Sequence, residues 1–176
     1  FENETSVRLK NEIPNLLDRL GSSDEIYVYI TTRGYVDQGD RAYLAAKEFV
    51  ATKMEDTGLP LDWLIDQLDK SAANRKLLML DCSSSDADKS VNGLAMVEAI
   101  QASKRGGYPK STYILSSCGD GEEGLVSTEN KNRSLFGLSL SDPQEQIFVF
   151  AISMTAAMTV SARFLPRSVK VCAKGS

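Results

Sequence analysis

The residues most capable of chemistry lie near the middle of the chain, where a short apolar segment ends in small polar side chains. Residues 76–80 are mostly apolar, and Asp81, Cys82, Ser83, Ser84 and Ser85 follow at once. A thiol or a hydroxyl becomes a nucleophile when a nearby base removes its proton, and a carboxylate binds cations. The sequence therefore predicts a site at 81–85, with an ordinary polar loop after a buried strand as the alternative.

The absence of one residue type limits what such a site can do. The 176-residue chain contains no histidine. Histidine is the usual base for a catalytic serine or cysteine and a common metal ligand. Ser-His and Cys-His nucleophile pairs, and sites that need an imidazole ligand, are therefore excluded within this chain.

The composition fits one globular α/β domain with a substantial core, because 42% of the residues are hydrophobic and 25% are charged. The net charge of -4, with both signs interspersed, gives no basic surface for nucleic acid. No segment is long and apolar enough for a membrane span, and we expect a cytoplasmic protein without a secretory leader. Cys82, Cys118 and Cys172 lack metal-type spacing, so reduced thiols are expected rather than a disulfide framework.

Alternating helix and strand patterns would position these residues. Apolar spacing predicts helices at 3–20, 62–70 and 91–105, with further helices beginning near Ser134 and at Pro143. Residues 147–160 fit either a buried helix or a strand. Apolar and β-branched segments predict strands at 25–31, 76–81, 111–116 and 168–172, and residues 42–50 fit either a short strand or a helical turn. This order predicts a mainly parallel sheet with helices on both faces.

The loops that follow the first three of these strands are expected to meet at one end of the sheet, where sites in open α/β folds lie. They carry Arg33 with Gly34, the segment 81–85, and the segment 118–123. Three converging loops are better evidence for a site than any one of them alone.

Four segments resemble motifs of the caspase and metacaspase superfamily of cysteine peptidases, in the family's order. Residues 30–34 (Ile-Thr-Thr-Arg-Gly) stand where the family has Ser-Gly-His-Gly, and residues 81–86 (Asp-Cys-Ser-Ser-Ser-Asp) where it has Asp-x-Cys-His-Ser-Gly. Residues 113–123 resemble its Thr-Ala-Ser-x-x-x-Glu segment, and residues 134–140 its Gly-x-Phe-Thr-x-x-Leu helix start. The resemblance implies a caspase-like three-layer sandwich.

The resemblance also implies that residues 1–176 form a single domain that lacks the family's first strand and helix. That strand is central in the family, so its absence would expose the backbone edges of its neighbours. Another chain, or the predicted strand at 168–172, would then take its place.

The family's catalytic dyad falls on Arg33 and Ser83 in this chain. A guanidinium stays protonated in proteins and cannot act as a base, and a serine without a base is a poor nucleophile. The resemblance therefore implies an inactive pseudopeptidase that binds a protein or peptide, pairs with a homologous caspase-like chain, or forms a homodimer. The expected binding residues are Asp81, Arg33, Ser84, Ser85 and Ser116.

Asp81 resembles the family aspartate of the pocket for basic residues, and the alternative is that it caps backbone N–H groups of its own loop. We also expect the guanidinium of Arg33 to pair with Asp81 or Glu123 across the cleft that holds the catalytic dyad in the family.

A second alignment gives a different nucleophile. Residues 80–85 (Leu-Asp-Cys-Ser-Ser-Ser) resemble the separase pattern Met-Gly-Cys-Ser-Ser-Gly, with Cys82 as the nucleophile. The alternative function is then an unconventional cysteine endopeptidase that cleaves after basic residues. A nearby Arg33 would lower the pKa of this thiol, whereas Asp81 would raise it. This alignment moves the nucleophile from position 83 to position 82, and successive side chains of a strand point to opposite faces, so Cys82 would face away from the side on which Ser83 lies.

Asp120, Glu122 and Glu123 form an acidic group in the third loop. Clustered carboxylates suit Ca²⁺, and some metacaspases depend on calcium. The alternative is a solvated acidic loop. No cofactor other than Ca²⁺ is expected.

Overall fold

The computed structural model describes residues 1–83, 89–102, 111–118, 134, 136–137 and 151–153. The strands in these ranges are β1 (Glu25–Val36), β2 (Ala42–Ala45), β3 (Gly58–Pro60), β4 (Arg75–Ser83), β5 (Thr112–Ser116) and β6 (Ala151–Ser153). The helices are α1 (Ser6–Leu17), α2 (Met54–Thr57), α3 (Leu61–Lys70) and α4 (Gly93–Ala102), with a 3₁₀ turn at Ala51–Lys53. The chain is therefore an α/β protein.

The strands form one mixed sheet in the order β3-β2-β1-β4-β5, and β6 also pairs with β1. Strands β1, β4 and β5 run parallel, whereas β2 and β3 join by antiparallel pairing. The longest pairing is that of β1 with β4, which runs from Glu25 beside Arg75 to Arg33 beside Ser83. The predicted parallel arrangement is confirmed for β1, β4 and β5, and the antiparallel strands β2 and β3 extend the sheet on the other side.

A single apolar cluster connects the helices to one face of the sheet. It contains Val28 and Ile30 of β1 and Leu78 and Leu80 of β4, which are alternate positions on their strands. The residues that α1, α3 and α4 contribute include Leu9, Ile13, Leu17, Leu61, Leu64, Ile65, Leu68, Met96 and Ile100. Within the described ranges, these three helices therefore share one core. None of the described helices is long and apolar enough to cross a membrane.

Helix α1 is shorter than the prediction of 3–20 because its start is fixed by a side chain. Thr5 is the N-cap, and its hydroxyl accepts a hydrogen bond from the backbone N–H of Arg8 at 3.2 Å. Leu9, Ile13 and Leu17 are buried at a spacing of four residues, which is the spacing of one helix face. The sequence predicted an apolar face of Val7, Ile13, Leu16, Leu17 and Leu20. The burial of Ile13 and Leu17 is confirmed, but Val7 is 63% exposed and Leu9 is buried instead. Pro14 lies inside the helix.

The prediction that β1 ends at Thr31 was wrong. The strand continues to Val36, so Arg33 and Gly34 lie in a strand and not in a loop. The reason is that both sides of this stretch have partners: β4 pairs as far as Arg33, and β2 pairs with Gly34–Val36. Strand β4 likewise continues to Ser83, two residues beyond its predicted end.

Pairing with a neighbour also decides the other local alternatives. Residues 42–45 form strand β2 rather than a helical turn, and residues 58–60, predicted as a turn, pair with β2 as strand β3. Residues 151–153 form strand β6 beside Tyr29–Thr31 of β1, so of the buried helix and the strand that the sequence allows at 147–160, the strand is found at these positions. A segment of the chain itself thus lies beside β1. The predicted strand at 168–172 lies outside the described residues.

Lys76 is a buried cation near the start of β4, with 4% of its surface exposed. Its Nζ donates to the carbonyl oxygens of Asp69 and Ser71 at 3.1 and 2.8 Å and to Ser111 Oγ at 3.1 Å. The two carbonyls belong to the end of α3, where backbone oxygens have no helical partner. The ammonium group therefore ties the end of α3 to the sheet.

Gly34 lies where two parts of the fold approach closely. The backbone N–H of Val91 donates to the Gly34 carbonyl oxygen at 2.8 Å, and the two residues form an isolated antiparallel bridge. A Cβ atom at position 34 would overlap Met96 Sδ and lie 2.7 Å from the carbonyl oxygen of Val91. The methionine side chain can move, but the backbone oxygen cannot, so glycine is needed here.

We predict that Gly34→Ala lowers the free energy of unfolding by about 1–3 kcal/mol, the usual cost of overpacking. The matched control is Gly21→Ala, because a Cβ there would meet only Asp24 Oδ2 at 3.7 Å. The control should change the stability by less than about 0.5 kcal/mol. Urea titration followed by circular dichroism measures both, and equal stability of the two variants would contradict the close approach.

Candidate functional site

The carboxyl ends of the parallel strands bring together residues that are far apart in the sequence. Arg33 of β1 is the register partner of Ser83 of β4, and Thr31 is the partner of Asp81. Ser116 at the end of β5 is the partner of Leu80. Three of the predicted site segments therefore meet at one edge of the sheet. Ser84, Ser85, Asp120, Glu122 and Glu123 lie outside the described residues.

Asp81 is the buried polar group at the centre of this edge, with 5% of its surface exposed. Its Oδ2 atom accepts hydrogen bonds from the hydroxyl groups of Tyr29 and Ser134. The two hydroxyl oxygens also lie 3.4 Å apart. Donors from two distant segments thus supply the hydrogen bonds that a buried carboxylate needs. We call Tyr29, Asp81 and Ser134 the Asp81 cluster.

Tyr29 is suited to act as the donor in this cluster. Burial, followed by the hydrogen bond to Asp81, raises the pKa of Tyr29 well above its usual value. The phenol therefore keeps its proton throughout the neutral range and donates it to the carboxylate. Among the described residues, hydroxyl groups rather than the guanidinium of Arg33 satisfy Asp81 Oδ2.

The segment that carries Ser134 packs closely against Tyr29. The backbone N–H of Gly137 donates to Ser134 Oγ at 2.9 Å, and the ring of Phe136 lies 6.1 Å from the ring of Tyr29. A Cβ atom at position 137 would lie 2.5 Å from the Tyr29 hydroxyl oxygen. Glycine at position 137 therefore allows Ser134 and Tyr29 to reach the same carboxylate oxygen.

Cys82 lies on the other face of β4 from the Asp81 cluster, because successive side chains of a strand point to opposite faces. It belongs to the apolar core, with 0% of its surface exposed. Burial, followed by the charges of Asp81 and Cys118, raises the pKa of the Cys82 thiol to about 12. Since a peptidase nucleophile must be present as the thiolate and must reach a substrate, this environment opposes the use of Cys82 in peptide cleavage.

Arg33 and Ser116 have different surroundings at this edge. The side chain of Arg33 is exposed, although the next residue in β1 is the closely packed Gly34. Ser116 Oγ donates to the carbonyl oxygen of Cys118 at 2.9 Å and accepts from its backbone N–H at 3.4 Å. The hydroxyl of Ser116 therefore closes the turn after β5, and its predicted role in binding stays a prediction.

Within the described part of the chain, no group of three or more acidic, cysteine or histidine side chains could hold a metal ion. The acidic segment expected to suit Ca²⁺ lies beyond these ranges, so that prediction stays a prediction.

Sequence reasoning missed Tyr29 and Ser134 as members of the site. They lie 52 and 53 residues from Asp81, so no local spacing connects them to it. The sequence carried only a weak signal for Tyr29. It lies two residues before Thr31, the register partner of Asp81, so the side chains of Tyr29 and Thr31 are on the same face of the strand. Ser134 was recognised only as the start of a helix.

Comparison with known proteins adds no assignment, since no family model, curated protein or solved structure matches the chain. The resemblance to the caspase superfamily therefore rests on the sequence motifs alone.

We predict that Tyr29→Phe destabilises the protein by about 1.5–3 kcal/mol, because it removes a hydrogen bond to a buried charged group. The matched control is Tyr113→Phe in β5, where the side chain is 75% exposed and loses only hydration. Urea titration of both variants tests the difference. A loss of stability in Tyr113→Phe as large as that in Tyr29→Phe would show that the Asp81 cluster has no special role.

Proposed function

We propose that this chain is a caspase-like domain without peptidase activity, which acts by binding a peptide segment of another protein. That protein is a regulatory target or an active homologue of the domain. The proposed architecture is the three-layer sandwich of the family, of which the described helices α1, α3 and α4 would form one layer.

The pairing of Arg33 with Ser83 is the observation that carries this proposal. These are the positions where the family motifs have the catalytic histidine and the nucleophilic cysteine. Direct register partners on neighbouring strands lie about 4.8 Å apart along the backbone. The two positions are therefore adjacent in the sheet, as a base and a nucleophile would have to be, but they carry residues without those properties.

The chemistry of the edge supports binding rather than catalysis. Arg33 cannot accept a proton, and the chain offers no histidine to replace it. The thiol of Cys82, near the end of β4, is buried and protonated at neutral pH. The carboxylate of Asp81 remains at this edge as the group that would attract a cationic residue of the peptide.

Restoration of the dyad tests the reason for inactivity. We expect wild-type protein to leave an arginyl peptide intact, and the double variant Arg33→His/Ser83→Cys to react with an arginyl chloromethyl ketone. The adduct should map to position 83, because an imidazole beside it can remove the thiol proton. Intact-mass spectrometry followed by peptide mapping measures the adduct.

The single variants Arg33→His and Ser83→Cys are the controls, since each supplies only half of the dyad. We expect the Ser83→Cys protein to react at least about tenfold more slowly than the double variant. An adduct on Cys82 of the wild-type protein, or equal rates in Ser83→Cys and the double variant, would contradict the proposed dyad positions.

The binding function predicts a charge preference. Fluorescence anisotropy should detect a labelled peptide with arginine, and the same peptide with neutral citrulline should bind at least about tenfold more weakly, which is about 1.4 kcal/mol. Citrulline keeps the shape of arginine but lacks the charge that Asp81 would attract. Equal affinity for the two peptides would remove the carboxylate from the proposed site.

A further inference from the structure

Two buried thiols lie beside the candidate site, and neither has a part in the proposed function. Cys82 is in β4 directly after Asp81, and Cys118 follows the end of β5. Both are free and buried, with 0% and 6% of their surfaces exposed. Two free thiols at the ends of neighbouring strands raise the question of whether they can react with each other.

The sheet brings the two cysteines close together. Leu80 of β4 is the register partner of Ser116 of β5, Cys82 is the second residue after Leu80, and Cys118 is the second residue after Ser116. The backbone N–H of Ser117 donates to the Leu80 carbonyl oxygen at 3.0 Å, so the pairing with β4 reaches Ser117, and Cys118 follows in the turn that Ser116 closes. The proximity of Cys118 also contributes to the raised pKa of the Cys82 thiol. Neighbouring strands lie about 4.8 Å apart, and disulfides join residues whose Cα atoms are about 4.4–6.8 Å apart.

The surroundings assign different roles to the two thiols. Cys118 is the one with some exposed surface, and the hydroxyl oxygen of Ser117 lies 3.4 Å from its sulfur atom. A small oxidant therefore reaches Cys118 first. Cys82 lies in the apolar core and is closed to solvent, so it can react only with a group that is already inside the protein.

We propose that Cys82 and Cys118 form a reversible disulfide when the protein meets a peroxide. The Cys118 thiol attacks hydrogen peroxide and becomes a sulfenic acid, with release of one water molecule. The sulfur atom of Cys82 then attacks the sulfenic sulfur atom, its proton leaves with the hydroxyl group as a second water molecule, and the S–S bond forms. Peroxide is reduced and the two thiols are oxidised. A dithiol reductant reverses the reaction by exchange.

The bond would connect β4 at the residue after Asp81 with the segment after β5. It would also fix the turn that Ser116 closes with Cys118. The redox state of the surroundings would then control the shape of the edge at which we propose that a peptide binds. The disulfide itself does not depend on that proposed function.

The test uses the Cys172→Ser variant, which leaves only Cys82 and Cys118 to react. The folded protein is treated with hydrogen peroxide, unfolded and alkylated with N-ethylmaleimide. Its intact mass is then measured by mass spectrometry. We expect loss of two hydrogen atoms and no alkylation, with both alkylations restored by dithiothreitol. Trypsin should release the disulfide as a linked pair of peptides, residues 77–89 and 111–131.

Two comparisons make the result decisive. On the same background, Cys118→Ala should leave Cys82 reduced and fully alkylated after peroxide treatment, because no sulfenic acid forms beside it. A circular dichroism melt before and after oxidation should show that the oxidised protein is still folded. Oxidation of Cys118 to a sulfinic acid without a cross-link would overturn the proposal, as would a disulfide that forms only in urea.

Discussion

The parallel pairing of β1 with β4 is the interaction on which the other features of this structure depend. It runs without interruption from Glu25 beside Arg75 to Arg33 beside Ser83. The pairing fixes which side chains share a face, and it extends β1 beyond its expected end. A slip of one residue would turn Asp81 into the apolar core and Cys82 towards Tyr29 and Ser134. Asp81 would then be buried without its hydrogen-bond donors, which is unfavourable, so the two faces specify the register.

The two faces give neighbouring residues opposite environments. Asp81 meets two hydroxyl groups, whereas Cys82 meets the core shared by three helices. The contrast explains why the carboxylate can stay buried while the adjacent thiol is held in its neutral form. A buried charge is tolerated only with hydrogen-bond partners, and a buried thiol needs none. The same contrast separates the polar Asp81 cluster from the Cys82 thiol.

Buried polar groups hold the layers of the fold together. Lys76 binds two carbonyl groups at the end of α3, and the Asp81 cluster connects β4 to the segment at 134–137. Near the N-terminus of α1, Glu48 Oε1 accepts from the backbone and hydroxyl groups of Ser6 at 2.8 and 3.0 Å. Each of these contacts joins two segments that belong to different parts of the fold. Removal of one partner from such a pair leaves a desolvated group, which costs more than the bond itself contributes.

The sequence by itself determined the elements whose signals are local. The spacing of apolar residues that include Ile13 and Leu17 predicted α1, the apolar run before Asp81 predicted β4, and the lack of histidine excluded a conventional dyad. Only the tertiary structure decided where β1 ends, because pairing with β2 and β4 and not propensity extends it to Val36. It alone joined Tyr29 and Ser134 to Asp81, since hydrogen bonds across more than fifty residues follow from chain packing and leave no periodic trace in the sequence.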